Sequence, residues 1–170
     1  MRRLAIVASV VLVMLAVIPS AALGRGPQKN DSVSGHGFVV FSATTTYEFR
    51  VSARTISSTT TAATGNMYIS ALQTSTTGTI ALEIWADVDC LSVVGLLAEV
   101  RGTIYRTNPD LLTEPTDLIF DVADVSALTN NTEPDLFNAT TSAEPELCVA
   151  PTLAPTNEVA KGDIRVNSEL

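Results

Sequence analysis

Between Thr79 and Arg106 the chain alternates apolar and polar residues with a period of two, a pattern that suits a strand and defeats a helix. Ile80, Leu82, Ile84, Ala86, Val88 and Cys90 fall on one side, and Glu83, Asp87 and Asp89 on the other. Successive side chains of a strand point to opposite faces, so one face is buried and the other wet. Val94-Gly95-Leu96 then offers a tight turn, with glycine where positive φ is needed. Ala98, Val100, Gly102 and Ile104 resume the inward face, while Glu99, Arg101 and Thr103 point out. The stretch reads as a long β-hairpin and the backbone of the fold. Trp85 falls on the polar face, where it needs a covering loop or makes a contact of its own.

Other segments follow the same rule. Gly37 to Ser42 reads as a short first strand, with His36 in a turn before it. Tyr47, Phe49, Val51 and Ala53 alternate with Glu48, Arg50 and Ser52, and Met67, Ile69 and Ala71 open the next strand. Leu118, Phe120 and Val122 form another, and Gly162 to Val166 can supply a closing strand. Ser57 to Gly65, Thr74 to Gly78, Thr107 to Thr116 and Ala127 to Glu146 read as connections, the last with a turn of helix. Threonine is abundant, and no window holds a 3.6-residue apolar stripe. The expected class is all-β: an antiparallel barrel or sandwich of about 7–9 strands with one disulfide.

Met1-Arg2-Arg3, the apolar run Leu4 to Ile18, and Pro19 followed by Ala22-Leu23-Gly24 have the layout of a Sec-type signal peptide cut after Gly24. The run is shorter than the about 20 apolar residues that span a bilayer. The expected organisation is a signal peptide at 1–24, a flexible leader at 25–33 and a single antiparallel β domain at 34–170. The expected location is secreted, extracellular or periplasmic, with no stable membrane span after signal cleavage. Without Arg2 and Arg3 the net charge of −8 becomes −10. Such a chain repels phosphate backbones, so no nucleic-acid partner is expected. Residues 107–170 carry twelve of the eighteen acids against only Lys161 and Arg165. Two cysteines, Cys90 and Cys148, read as a disulfide in an oxidising compartment, with two buried thiols as the alternative.

Catalytic constellations are scarce. The one histidine, His36, sits between Gly35 and Gly37, and nothing resembles a nucleophile elbow. Asp87 and Asp89 share a face and could serve as the paired carboxylates of a glycosidase, although a solvated strand face looks the same. Asp117, Asp121, Asp124, Glu133 and Asp135 crowd one loop-rich region and are the calcium candidates, since hard cations take several oxygen ligands. No phosphate-cradling loop or zinc spacing appears, and no cofactor is expected.

The run Val88-Asp89-Cys90-Leu91-Ser92-Val93-Val94-Gly95, followed by Ala98-Glu99-Val100-Arg101-Gly102-Thr103-Ile104, resembles a signature of small exported bacterial β-rich proteins without assigned activity. The likeness extends to Gly35-His36-Gly37, Tyr47 to Arg54, Phe120-Asp121-Val122, Pro134 to Phe137 and Cys148. It implies a secreted all-β module and supplies no mechanism. Leu96 stands where that signature often has a turn asparagine, and Asp121 to Ser126 lacks its Gly-rich acidic turn. The expected function is a non-catalytic binding module for a small apolar molecule, a glycan or an envelope protein. The alternatives are a secreted glycosidase-like hydrolase and a structural envelope protein. Small inward residues (Ala86, Ala98, Gly102) beside larger ones (Ile84, Val100, Ile104) suit a filled barrel as well as a lined cavity.

Overall fold

A computed structural model describes residues 30–57, 59–75, 78–109, 117–130, 132–143, 148, 150–151 and 155–168. The expected signal peptide and most of the leader lie outside the described residues. Eight strands follow one another: β1 (Ser32–Ser42), β2 (Thr45–Thr55), β3 (Ala63–Ser75), β4 (Gly78–Val94), β5 (Leu97–Asn108), β6 (Asp117–Ala123), β7 (Leu136–Ser142) and β8 (Asn157–Asn167). Each pairs antiparallel with its neighbour in sequence, and β8 returns to β1 to close a barrel. A four-residue helix, α1 (Ser126–Thr129), joins β6 to β7. Closure removes the free sheet edges that an open antiparallel sheet would expose.

The inward positions carry the expected residues. Phe49, Val51 and Ala53 of β2, Met67 and Ile69 of β3, and Leu118, Phe120 and Val122 of β6 are all buried. Phe137 stacks on Phe49 at 4.0 Å and meets Phe120 edge-on at 4.9 Å, so three rings fill the waist. Gly95 closes the β4–β5 turn at φ +63°, as its position in the hairpin required. Gly162 serves the closing seam: at φ +134° it lies so near the His36 carbonyl that a Cβ would collide with it.

Several boundaries differ from the sequence reading. β1 begins at Ser32, inside the stretch read as leader, and carries His36 in mid-strand with its side chain exposed. Gly35 and Gly37 flank it because a Cβ at either would press into β8. β7 lies within a stretch read as loop. Its Asn138 and Thr140 occupy outward positions, which hid the alternation around Phe137. In β4 the register against β5 shifts between Val88 and Cys90. The extra residue transfers the inward position from Cys90 to Leu91, which is 1% exposed. Cys90 instead bonds to Cys148 and pairs with Ala62, which extends β3's side of the sheet. Cys90 also sits opposite Arg101. There β5 is buried on both faces, and Glu99 and Arg101 form an ion pair at 3.5 Å on the covered outer side.

The seam between β7 and β8 is short. Only Leu136 with Glu158 and Phe137 with Asn157 are in register, whereas β7 pairs with β6 along its whole length. Beyond that seam, two buried carboxylates take the place of a strand. Asp135 accepts from the backbone N–H of Ile164 at 2.8 Å and of Ser126 at 2.9 Å. Asp124 accepts from the N–H of Val166 at 3.2 Å and of Ala127 at 3.0 Å. Both acids are almost fully buried, and each ties β8 to α1.

Two outcomes follow from these ties. Asp135→Ala strands two backbone donors, each worth about 1–3 kcal/mol when left unsatisfied. Urea unfolding is expected to show a loss of about 2–4 kcal/mol, with Asp135→Asn in between; a loss under about 0.5 kcal/mol, the range of an ordinary surface change, contradicts it. The disulfide closes a separation of 58 residues, for which chain entropy gives about 4 kcal/mol as an upper figure. Cys90→Ala/Cys148→Ala should therefore unfold at markedly lower urea, and native protein should show no alkylatable thiol until reduced.

Candidate functional site

The same short seam that needs two carboxylates on one side leaves a hollow on the other. After Phe137 the chain of β7 continues to Ser142 paired with β6 alone among the described strands. After Val39, β1 runs on to Ser42 paired with β2 alone. Between these diverging ends opens a cavity of about 620 Å³. It lies at the end of the barrel that carries the β1–β2 and β3–β4 connections. Its apolar side is built by Val39, Tyr47, Ile69, Leu82, Ile84 and Leu118, all on inward positions of the strands already named. Its floor is Phe137, held flat against Phe49. The barrel is thus filled in one half and open in the other.

The rim is apolar as well. Phe41 lines the mouth, is 59% exposed, and packs edge-on to Tyr47 at 5.7 Å. Val40 and Leu72 stand exposed on the adjoining outer surface, in register with each other through Thr46. A hollow of similar size at the opposite end is of another kind. It is lined by Asn30, Ser32, Arg54, Asn167 and Ser168 with only Leu96 and Val166 as larger apolar residues.

At the open seam beside β7 the hollow runs out to the outer surface of the barrel, where Asp121, Asn138 and Thr140, on outward positions, border it together with Thr156 and Asn157, while Thr141 shares the inward face of Phe137. Asn138 is committed: its Oδ1 accepts from Asn157 Nδ2 at 2.6 Å and from the Thr156 N–H at 3.3 Å. Asp121 is half-buried, opposite Asn138 on β7 and Glu99 on β5. Burial pushes its carboxyl above the ordinary aspartate range, and the positive charge of Arg101 opposes that rise.

The structure does not gather the calcium candidates. Asp124 and Asp135 spend their oxygens on backbone N–H groups, which leaves no lone-pair array for a cation. Asp121 stands on the outward face of β6 where the hollow opens, Glu133 is exposed, and Asp117 opens β6 opposite Thr103 and Ser142. Among the described residues no three His, Cys, Asp or Glu side chains are placed to hold a metal. Asp87 and Asp89 are both exposed on the outer wall, away from the cavity, and Asp89 accepts from Thr103 Oγ1 at 3.0 Å. The cavity itself escaped the sequence reading, because its lining shows the same alternation as a filled core.

Trp85 is half-buried among side chains of the neighbouring strands. The Arg106 guanidinium lies 4.5 Å over its ring, Tyr68 packs beside it at 5.4 Å, and Arg50 stands over Tyr68 at 5.7 Å. Tyr68 donates to Glu83 at 3.0 Å, and Asn108 donates to the same carboxylate at 2.9 Å. Those two bonds hold Glu83 below the usual glutamate range, while burial and the Glu83 bond push Tyr68 up. The row is a cross-strand ladder whose ring faces are already taken by guanidinium groups.

Among the described residues no helix is long and apolar enough to cross a membrane. Comparison with protein-family models, with characterised proteins and with solved structures finds no match.

The raised carboxyl of Asp121 has a consequence for stability. A group whose folded pKa exceeds its unfolded value favours the fold when protonated, and that contribution disappears as pH rises through the folded pKa. At neutral pH the ionised Asp121 therefore weakens the barrel. Asp121→Asn is expected to melt higher than wild type at neutral pH, with the gap closing below the ordinary aspartate range. A variant that melts lower at neutral pH would contradict this.

Proposed function

We propose that the protein binds one small, largely apolar molecule in the open half of its barrel. The observation that carries this reading is the cavity of about 620 Å³ at one end of a barrel whose waist is plugged by stacked phenylalanines. An eight-stranded barrel is wide enough either to be filled by side chains or to hold one small ligand. Here the division falls along the barrel axis. Pockets of about 300–1,000 Å³ with apolar walls and a few polar groups are typical of small-molecule sites.

The apolar rim favours the same class of ligand, since Phe41, Val40 and Leu72 extend the greasy wall out to solvent. A glycan is favoured less, because the candidate platform of Tyr68 and Trp85 has ring faces covered by Arg50 and Arg106. Export suits this role. The basic and apolar start of the chain, the cysteine pair, and the resemblance to small exported proteins all support a binder that works outside the cytoplasm.

The test is a titration with the neutral fluorophore N-phenyl-1-naphthylamine. Wild-type protein is expected to bind it saturably, one per chain, with micromolar affinity. Ala71→Phe places a ring in the cavity from β3 and should abolish the signal while circular dichroism and melting temperature stay close to wild type. Fluorescence that does not saturate, or that survives Ala71→Phe unchanged, would sink the proposal.

A further inference from the structure

We propose that the cavity end of the barrel docks on the surface of an uncharged lipid bilayer, with the β1–β2 and β3–β4 hairpins reaching into its headgroup layer. The proposal extends the cavity-binding reading by naming where the apolar ligand is exchanged, and its test separates the two.

Those two hairpins form one uncharged lip. Residues 37–47 and 63–82 contain no Asp, Glu, Lys or Arg, in a chain where such residues make up 16%. Phe38, Val40, Phe41 and Leu72 are four of the eight large apolar side chains exposed among the described residues, and all four lie on this lip. Outward positions fall in rows across the strands. The row nearest the end is Val40, Thr46, Leu72 and Ala81. The next is Lys161, Phe38, Glu48, Ser70 and Glu83, and it holds the first charges of these hairpins and of β8 beside Phe38. From Glu48 to Thr45, where the β1–β2 turn begins, is three residues, about 10 Å at the usual strand rise. The two tips are bonded to each other, since the Thr74 N–H donates to the Thr44 carbonyl at 2.8 Å.

A hairpin enters an apolar layer only if its charges stay outside and its backbone groups are bonded. Both conditions hold here, because β1 to β4 pair with one another up to their turns. The uncharged height matches the shallow depth, about 5–10 Å, at which amphipathic helices lie in a lipid interface. Tyr47 then stands at the level where such rings collect. Charge decides which lipid. Glu158 opens β8 beside the lip, and the connections 109–116 and 143–156 at the same end add four acids and no base. With a net charge of −8, the chain is repelled by an anionic surface and by a second copy set lip to lip. The cavity opens at Phe41, on the lip itself, so an apolar molecule can pass between bilayer and barrel without crossing water.

Flotation of intact protein with lipid vesicles tests this. Wild type is expected to float with phosphatidylcholine vesicles, and less with vesicles half composed of phosphatidylglycerol. Val40→Asp/Leu72→Asp charges two outward positions of the lip that do not line the cavity, and should lower partitioning about tenfold or more. Val40→Thr/Leu72→Thr, neutral and suited to strands, should fall between. Both variants should keep N-phenyl-1-naphthylamine binding measured without vesicles, which reports an intact barrel. Ile56→Asp, at the other end, should float like wild type. Wild type that stays in the aqueous fraction, or floats only on the anionic vesicles, overturns the proposal, as do double variants that float undiminished. Wild type that does not float but sediments as a dimer, dissolved by the double variants, overturns it in favour of a second copy. Flotation without dye binding overturns the cavity reading and leaves the bilayer contact standing; dye binding without flotation does the reverse.

Discussion

Closure of this barrel depends on two buried carboxylates that act as a substitute strand. β8 reaches β1 along most of its length but meets β7 over only two register pairs. A closed barrel cannot leave buried backbone N–H groups unpaired along the edge of its last strand. Asp135 and Asp124 answer that demand at Ile164 and Val166, and with their second oxygens they hold the start of α1. One ionised group satisfying two backbone donors is stronger than two neutral contacts, and it fixes β8 without requiring β7 to be longer.

The hollow half of the barrel follows from that arrangement. Because the carboxylates secure β8 at the α1 end, β7 is free to diverge from it at the other end, and the space between becomes the cavity. The Phe49, Phe120 and Phe137 cluster separates the two regimes. On one side of it lie Val33, Leu91, Val100 and Ile164, all packed to near-zero exposure. On the other, Tyr47 and Leu82 are only partly buried, and Phe41 stands open. The disulfide works on a third region. It ties the β7–β8 connection to β4 opposite Arg101, where the outer wall of β5 is covered and an ion pair is buried.

Much of the fold was legible because period-two alternation survives wherever one face is dry. The β4–β5 hairpin, the inward set Phe49-Val51-Ala53 and the Cys90–Cys148 bond could all be read from residue order. Four features could not. The bulge after Val88 exchanges Cys90 for Leu91 inside the barrel, and a bulge leaves no mark in a run of residues that are apolar on both phases. β7 was masked by Asn138 and Thr140, whose polarity reports the outward face and not a loop. Asp124 and Asp135 look like solvated or cation-binding acids in sequence, because a carboxylate's use for backbone N–H groups is a matter of distance in space. The cavity was hidden for a related reason. Ile69, Ile84 and Leu118 would alternate identically whether their inner ends met other side chains or empty space.

The central claim is that one half of the barrel is packed and the other half receives a ligand. Methyl-resolved NMR reads both halves at once, in a titration with dodecanol monitored on isotope-labelled Ile, Leu and Val methyls. The account predicts that Ile69, Leu82, Ile84, Leu118 and Val39 shift together and saturate, while Val33, Leu91, Val100 and Ile164 stay in place. Shifts confined to the exposed Val40, Leu72 and Leu128, or spread evenly through the packed half, would contradict it.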